Sequence, residues 1–370
     1  MTTTPLSVTE PSTASEPSTA TEQTAVQESL PPAHSDASDA QSQNWQPLTD
    51  VPGRVGGSDT PVLVVTPDAP IRKVLLERAQ LSYLTLPDGA RLRCAQFDHP
   101  EPVATVVIMT GYAEFIEKYY EVINELYDRR FSIVSFDWRG QGLSTRAHPR
   151  RCGWVAGYDQ LIADLQFVIA SLDRAKTFGP LLGLGHSMGG HLAIKLAQEH
   201  PQLLDGIVVT APMMGLVTPK PPAMFRLTQF GNWLGMGQHC LPGNGVVDPF
   251  GPHVALSADP ARIEVWRGYQ RAEPYLITHG ATWRWGLEAA QSILKICQPS
   301  AAEAVCTPLL IINPLGDTLV DPAATQNYAA TCPAATLVDI PDAGHEILQE
   351  APPLRSRFWR EFDDFIADLI

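Results

Sequence analysis

Apolar residues follow two different periods along this chain, and the alternation between them sets out its architecture. Val103–Met109, Phe131–Phe136, Leu181–Leu184, Gly206–Thr210, Leu309–Ile312 and Thr336–Ile340 are short runs that are apolar nearly throughout. Runs of that length predict strands buried on both faces. Between them the period lengthens to three and four. Glu114–Arg130 gathers Phe115, Ile116, Tyr119, Tyr120, Ile123, Leu126 and Tyr127 on one helical face. Tyr158–Leu172 does the same with Tyr158, Leu161, Ile162, Leu165, Val168, Ile169 and Leu172, and a last helix carries Leu354, Phe358, Phe362, Phe365, Ile366 and Leu369. Ahead of this series, Gln80–Leu86 and Arg91–Asp98 flank Pro87-Asp88-Gly89, a hairpin signal. Strands alternating with helices imply a mostly parallel central sheet with helices on both faces. In such sheets chemistry is sought just beyond the carboxyl ends of the strands.

Two stretches break the rhythm. Residues 1–60 are rich in Ser, Thr, Pro, Ala and Glu, have Trp45 as their only aromatic residue and show no apolar period, which reads as a disordered tail. Residues 216–300 interrupt the strand series with Pro-rich and Gly-rich segments and short helical patterns, and read as an inserted helical lid. The expected organisation is therefore a tail (1–60), a first core part (71–215), a lid insertion (216–300) and a second core part (301–370).

Charge sharpens this division. In the tail Glu10, Glu16, Glu22, Glu28, Asp36, Asp39, Asp50 and Asp59 stand against Arg54 alone, which is half of the formal charge of −14. An acidic chain without a basic stripe argues against nucleic-acid binding, because neutralising phosphates takes clustered Lys and Arg. The six cysteines, at 94, 152, 240, 297, 306 and 332, form no Cys-x-x-Cys pair and have no zinc-ligand spacing to a histidine, so they read as reduced thiols in or near the core. No metal or other cofactor is expected. The N-terminus shows neither a basic n-region nor an apolar h-region, and no run reaches the roughly 20 apolar residues of a membrane span. A cytoplasmic protein is the expectation.

Chemistry enters at Gly185-His186-Ser187-Met188-Gly189, which follows the strand ending at Leu184 and opens a helix over Gly190–Glu199. A serine on so sharp a strand-to-helix turn needs neighbours without bulk two residues away on each side, and the turn lifts its Oγ above the sheet. Ser187 is the candidate nucleophile, and the N–H of Met188 is a candidate oxyanion donor at the helix N-terminus. A dinucleotide fingerprint starting at Gly183 fails because its third glycine position is Met188. The candidate acid is Asp317, which follows Leu309–Ile312, with Asp321 as its competitor. The candidate base is His345, in the loop after Thr336–Ile340, and the order Ser, Asp, His suits this architecture. His186 reads as a support of the turn, while His148, His191 and His200 show no ligand spacing. The loop after Val103–Met109 runs Thr110-Gly111-Tyr112, where Gly111 is expected to permit a tight turn and the N–H of Tyr112 to be the second oxyanion donor.

From about residue 75 onward the chain resembles the monoglyceride lipase and lysophospholipase branch of the α/β-hydrolases. The resemblance rests on Gly185-His186-Ser187-Met188-Gly189-Gly190, on Asp137-Trp138-Arg139-Gly140-Gln141-Gly142-Leu143-Ser144, and on the segments around Asp317 and His345. It implies an α/β-hydrolase fold and a serine esterase acting on a small-molecule acyl ester or lipid. It also implies that Asp137–Ser144 braces loops near the site and does not react. The chain departs from the branch at Thr110-Gly111, where His-Gly is usual, and in its acidic tail.

Residues 213–300 hold Met213, Met214, Met224, Phe225, Phe230, Trp233, Met236, Trp266, Trp283 and Trp285, a density suited to an acyl chain and to transient contact with a membrane surface. Three alternatives stand beside lipid ester hydrolysis. An iminopeptidase-like enzyme would hold a substrate amine on lid acids such as Glu264, Glu273 or Glu288. An acyltransferase would pass the acyl group to an alcohol. A binding protein on the same fold would typically lack part of the triad.

Overall fold

The computed structural model describes residues 61–172, 179–217, 221–242 and 256–370, so the expected acidic tail lies outside the described residues. A short helix α1 (Lys73–Arg78) precedes the expected hairpin of β1 (Gln80–Thr85) and β2 (Arg91–Phe97). Next come β3 (Ala104–Met109), α2 (Tyr120–Asp128), β4 (Phe131–Phe136), the two-residue β5 (Cys152–Gly153), α3 (Tyr158–Ala170), β6 (Leu181–His186), α4 (Met188–Glu199) and β7 (Gly206–Thr210). An insertion then carries α5 (Pro221–Trp233), α6 (Pro260–Ala272), β8 (His279–Ala281), α7 (Trp283–Ile296) and α8 (Pro299–Glu303). The sheet resumes with β9 (Leu309–Pro314), α9 (Pro322–Thr331) and β10 (Ala335–Ile340), and α10 (Pro352–Ala367) closes the chain.

Eight strands form one sheet in the order β1-β2-β4-β3-β6-β7-β9-β10. Only β2 runs against its neighbours; the other pairings are parallel. The chain leaves β3 towards β4 on one side and returns to place β6 on the other. This makes a switch point between β3 and β6, where such sheets bind ligands. The two-residue β5 and three-residue β8, too short to show in the apolar pattern, pair with each other and join the insertion to the core.

The inner strands β3, β4, β6, β7 and β9 are buried on both faces as expected, whereas Thr336–Ile340 forms most of the edge strand β10, which is only half-buried because no strand covers its outer side. Val107 and Met109 of β3, with Val209 and Ile311, pack on α3, α4 and α7; Val106 and Ile108, with Val208 and Ile312, pack on α2 and α10. One expected element changes form. The helix foreseen over Glu114–Arg130 starts late, with a 3-10 turn at Ile116–Tyr119 ahead of α2. Ala113 takes a left-handed φ of 63°, the Glu114 carboxylate accepts from the Gly111 N–H, and Asp137 accepts from the Ile116 N–H at 3.0 Å. These contacts hold residues 111–115 in a turn that helix geometry would not allow.

Asp137 also anchors the Asp-x-Arg-Gly-x-Gly-x-Ser element. Its carboxylate accepts from the Leu143 N–H at 2.7 Å and from Arg93 Nε at 2.7 Å, while the Arg93 guanidinium donates to both oxygens of Glu117 at 2.6 and 2.8 Å. All three side chains are fully or almost fully buried. Removing one member of such a set strands the others as buried charges, which costs about 3–5 kcal/mol. Arg93→Leu is therefore expected to lose about that much unfolding free energy in denaturant titrations. A loss below 1 kcal/mol would show that the set is dispensable.

Candidate active site

Each candidate residue sits at the carboxyl end of a strand. Ser187 follows β6 directly, with φ 51° and ψ −114°, a left-handed backbone that side chains rarely adopt. Its N–H donates to Thr210 O at 3.0 Å, and its carbonyl accepts from Met213 N at 3.1 Å, so β7 and its loop hold the turn on one side. On the other side α4 presses against the end of β3. A Cβ at Gly189 would collide with the carbonyls of Met109 and Thr110, and one at Gly185 would lie 2.8 Å from Gly189 O. These are the two positions where the motif's spacing asks for glycine. Met188 opens α4, so its N–H has no partner within the helix.

The loop after β3 is braced from the Asp137–Ser144 segment. Trp138 Nε1 donates to Thr110 O at 2.8 Å, and Gln141 Oε1 accepts from the Ala113 N–H. With Gly111 held by Glu114, the Tyr112 N–H lies between two fixed neighbours. The Tyr112 hydroxyl donates to His279 O at 2.7 Å, and its ring packs 4.6 Å from that of Trp285. Gly111 does not supply the left-handed residue of this turn; Ala113 does. The glycine is needed for clearance, since a Cβ there would lie 2.8 Å from Glu114 Oε2 and 3.2 Å from His186 Cδ2.

The structure separates the two acids. Asp317 Oδ2 lies 2.6 Å from His345 Nδ1, while its Oδ1 accepts from the N–H groups of Leu319 and Val320 at 2.7 and 3.0 Å. Asp321 is occupied as the N-cap of α9, accepting from Ala323 N at 2.9 Å. Burial alone would lower the pKa of His345, but Asp317, helped by Glu346 and Glu114, outweighs it and raises the value above 6.5. His186, whose ring centre is 4.8 Å from that of His345, takes the opposite direction because burial prevails. Its Nδ1 lies 2.9 Å from Thr210 Oγ1, and its Nε2 has no hydrogen-bond partner among the described residues. His186 thus supports the turn, as the sequence suggested.

One ionic group was not foreseen. Lys118 Nζ bridges Glu114 at 2.5 Å and Glu346 at 2.6 Å, and Tyr119 Oη donates to Glu114 at 2.6 Å. Glu114, His186 and Glu346 are the only metal-like side-chain cluster among the described residues. The Lys118 ammonium already supplies the positive charge between the two carboxylates. The residues belong to segments read as helix and loop, and nothing in their spacing announces that they meet.

A cavity of about 540 Å³ opens between this floor and the insertion. Tyr112, Phe115, Leu319 and Glu346 line it from the core, and Leu256, Ile263, Trp266 and Ile277 from the insertion. Leu319 lies two residues after Asp317, and Glu346 follows His345 directly. Among the foreseen lid residues Trp266 lines the cavity, Met213, Met214, Trp283 and Trp285 are buried, and Met224, Phe230 and Trp233 are exposed.

Residues 100–352 match the family described as serine aminopeptidase, S33. The chain belongs to that family. It lies in the monoglyceride lipase and lysophospholipase branch of the α/β-hydrolases. It is 34% identical over 224 residues to phospholipase YtpA of Bacillus subtilis, covering 60% of this chain and 78% of that one. It is 23% identical over 295 residues to a probable lysophospholipase L2 of Haemophilus influenzae, covering 78% and 93%. Among solved structures, a soluble variant of monoglyceride lipase from Saccharomyces cerevisiae in complex with a substrate analog superposes with a TM-score of 0.64 at 18% identity, covering 79% of this chain and 97% of that one. At that identity the likeness is one of fold.

The histidines offer a direct check. In an NMR titration His345 is expected to have its midpoint above 6.5. His191, buried with Nδ1 2.9 Å from Met213 O and Nε2 2.7 Å from Ser292 Oγ, is lowered by burial to about 4. Glu346→Gln should move the His345 midpoint down. Equal midpoints for the two histidines would contradict the electrostatics described.

Proposed function

We propose that this chain hydrolyses carboxylic esters of lipid type, lysophospholipids or monoacylglycerols, through an acyl-enzyme on Ser187. The observation that carries the reading is the contact between His345 and Asp317 at the same end of the sheet as the left-handed Ser187, with a largely apolar cavity reaching Leu319 and Glu346 beside the two. In this reading Ser187 Oγ attacks the ester carbonyl while His345 Nε2 takes its proton. The N–H groups of Met188 and Tyr112 receive the oxyanion. Collapse breaks the acyl–oxygen bond, and His345 returns the proton to the departing alcohol. Water then repeats the sequence on the acyl-enzyme, releasing the fatty acid and restoring Ser187. Asp317, fixed by two backbone amides, holds the imidazole with Nε2 free to act.

The relatives' names support an ester substrate of lipid type, whereas the family description mentions aminopeptidase. The acids weighed for amine recognition do not favour a peptidase. Glu264 pairs with Arg271, Glu273 caps the turn at Tyr275, Glu288 pairs with Arg284 at 2.8 Å, and none of the three lines the cavity. A panel of p-nitrophenyl esters against aminoacyl anilides should show turnover of the esters, with longer acyl chains preferred; preference for the anilides would reject the reading. Ser187→Ala should lose on the order of 10⁶ in kcat. Asp317→Asn should lose about 10⁴, with Asp321→Asn near wild type apart from a lost helix cap. Reversal of that last pair would move the acid to Asp321.

Activity should fall as pH drops through the His345 titration, because only the neutral imidazole accepts the Ser187 proton. Since its pKa is raised, the acid limb is expected above pH 6.5.

Transient contact with a membrane surface forms part of the proposal. It is supported by the outer face of α5, where Leu227, Phe230 and Trp233 are exposed, Trp233 by 78%, and by the exposed Leu234 just after it. Among the described residues no helix is long and apolar enough to cross a membrane. Replacing Phe230 and Trp233 together by Ser should lower partition onto phosphatidylcholine vesicles by about tenfold or more while sparing turnover of a water-soluble ester. Unchanged partition would remove α5 from the contact.

A further inference from the structure

Away from the cavity, two thiols meet. We propose that Cys152 and Cys240 are a disulfide site that cross-links the insertion to the core. Their Sγ atoms lie 2.6 Å apart, nearer even than the roughly 3.5–4.0 Å at which unbonded carbon atoms, smaller than sulfur, settle. Both are free thiols, and neither belongs to the Glu114, His186 and Glu346 cluster.

The backbone on both sides is already tied to β8. On one side Cys152 pairs with His279, and Gly153 O accepts from Thr282 N at 2.9 Å and from Thr282 Oγ1 at 2.8 Å. On the other, Leu241 N donates to Ala281 O and Trp283 N to His239 O, each at 2.9 Å. The cysteines are thus held by hydrogen bonds on both flanks, and closing the bond takes a small side-chain adjustment. The two residues are 88 apart in sequence, and the loop they close contains the Ser187 turn. A cross-link over so long a loop removes much freedom from the unfolded chain. It also braces β8, whose His279 carbonyl holds the Tyr112 hydroxyl.

The chemistry proceeds by exchange with an external disulfide donor of the oxidised glutathione class. Cys240, the more exposed of the two, loses its proton, and its thiolate attacks the donor. This forms a mixed disulfide and releases one donor thiolate, which takes up a proton. The Cys152 thiolate then attacks Cys240 Sγ, forming the protein disulfide and expelling the second donor thiolate. Two protein thiols lose two electrons, and the donor disulfide becomes two thiols. Burial, with Cys240 beside it, pushes the Cys152 thiol up to about 12, so the second step is slow at neutral pH and faster in alkali. In a reducing compartment the pair stays open, and in an oxidising one it closes.

The test uses the full-length protein. It is incubated for hours at pH 8.5 with oxidised glutathione or with dithiothreitol, then denatured, alkylated and digested without reduction. The expected product of oxidation is a peptide pair joined through Cys152 and Cys240, absent after dithiothreitol. Finding the two peptides separate, alkylated or carrying glutathione, or joined to other cysteines, would overturn the proposal. The oxidised protein should also melt about 5 °C or more above the reduced one. That difference should vanish in Cys240→Ser; equal midpoints in the wild type would overturn the bracing role.

Discussion

The approach of α4 to the end of β3 leaves no space for a single carbon atom, and the site is arranged around that closeness. At Gly189 a side chain would strike the carbonyls of Met109 and Thr110, and at Gly185 it would strike the turn itself. The short path from β6 into α4 forces Ser187 into a left-handed backbone, a conformation that costs free energy and persists only where its surroundings hold it. Here β7 supplies the hold, accepting the Ser187 N–H on Thr210. The same closeness brings the start of α4, with its unpaired N–H groups, beside the loop after β3. Two segments far apart in sequence thereby meet at the switch in strand order.

Charge fixes what packing brings together. The loop after β3 has no regular structure of its own, so its backbone groups are satisfied from outside: Thr110 by Trp138, Ala113 by Gln141, Ile116 by Asp137. Asp137 is held in turn by Arg93, and Arg93 by Glu117. The electrostatic difference between two adjacent imidazoles follows from their partners. Both His186 and His345 are buried, but only His345 touches a carboxylate within hydrogen-bond distance. Glu114 and Glu346 lie near both rings, yet their charge is shared with Lys118. Asp317 therefore decides which ring is the more basic.

The inner strands were legible because burial on both sheet faces leaves an unbroken apolar run, and the turn at Ser187 was legible because its steric demand falls on fixed sequence positions. The position of Asp317 and His345 beyond strand ends was readable from the apolar runs, although only the fold shows that Asp317 contacts His345 while Asp321 caps α9. Other features left no local trace. The late start of α2 depends on Asp137 and Gln141, which come from another loop. The lysine bridge joins Lys118 to a carboxylate 228 residues away. The pairing of β5 with β8 involves too few residues to imprint a period. The same holds for the aromatics of the insertion: composition counted them, but only tertiary contacts sort Trp285 into the core, Trp266 to the cavity and Trp233 to the surface.

How the insertion stays over the cavity is answered by Arg146. Its guanidinium is buried and has neutral acceptors on both sides: Gly140 O and Gly142 O from the core at 2.8 and 2.6 Å, Tyr275 O and Thr278 Oγ1 from the insertion. Burial, reinforced by the nearby Arg151, lowers its pKa to about 9. A cation in that position relies on every carbonyl it reaches, because a buried charge left without partners costs several kcal/mol. Lifting the insertion would take away the acceptors from Tyr275 and Thr278, and it would also break the Tyr112 bond to His279. By contrast α5, at the other end of the insertion, shows exposed apolar side chains outward. The insertion is thus tethered to the core where it meets the loop after β3, whereas α5 is held from within the insertion, where Asn232 donates to Trp283 O at 2.8 Å.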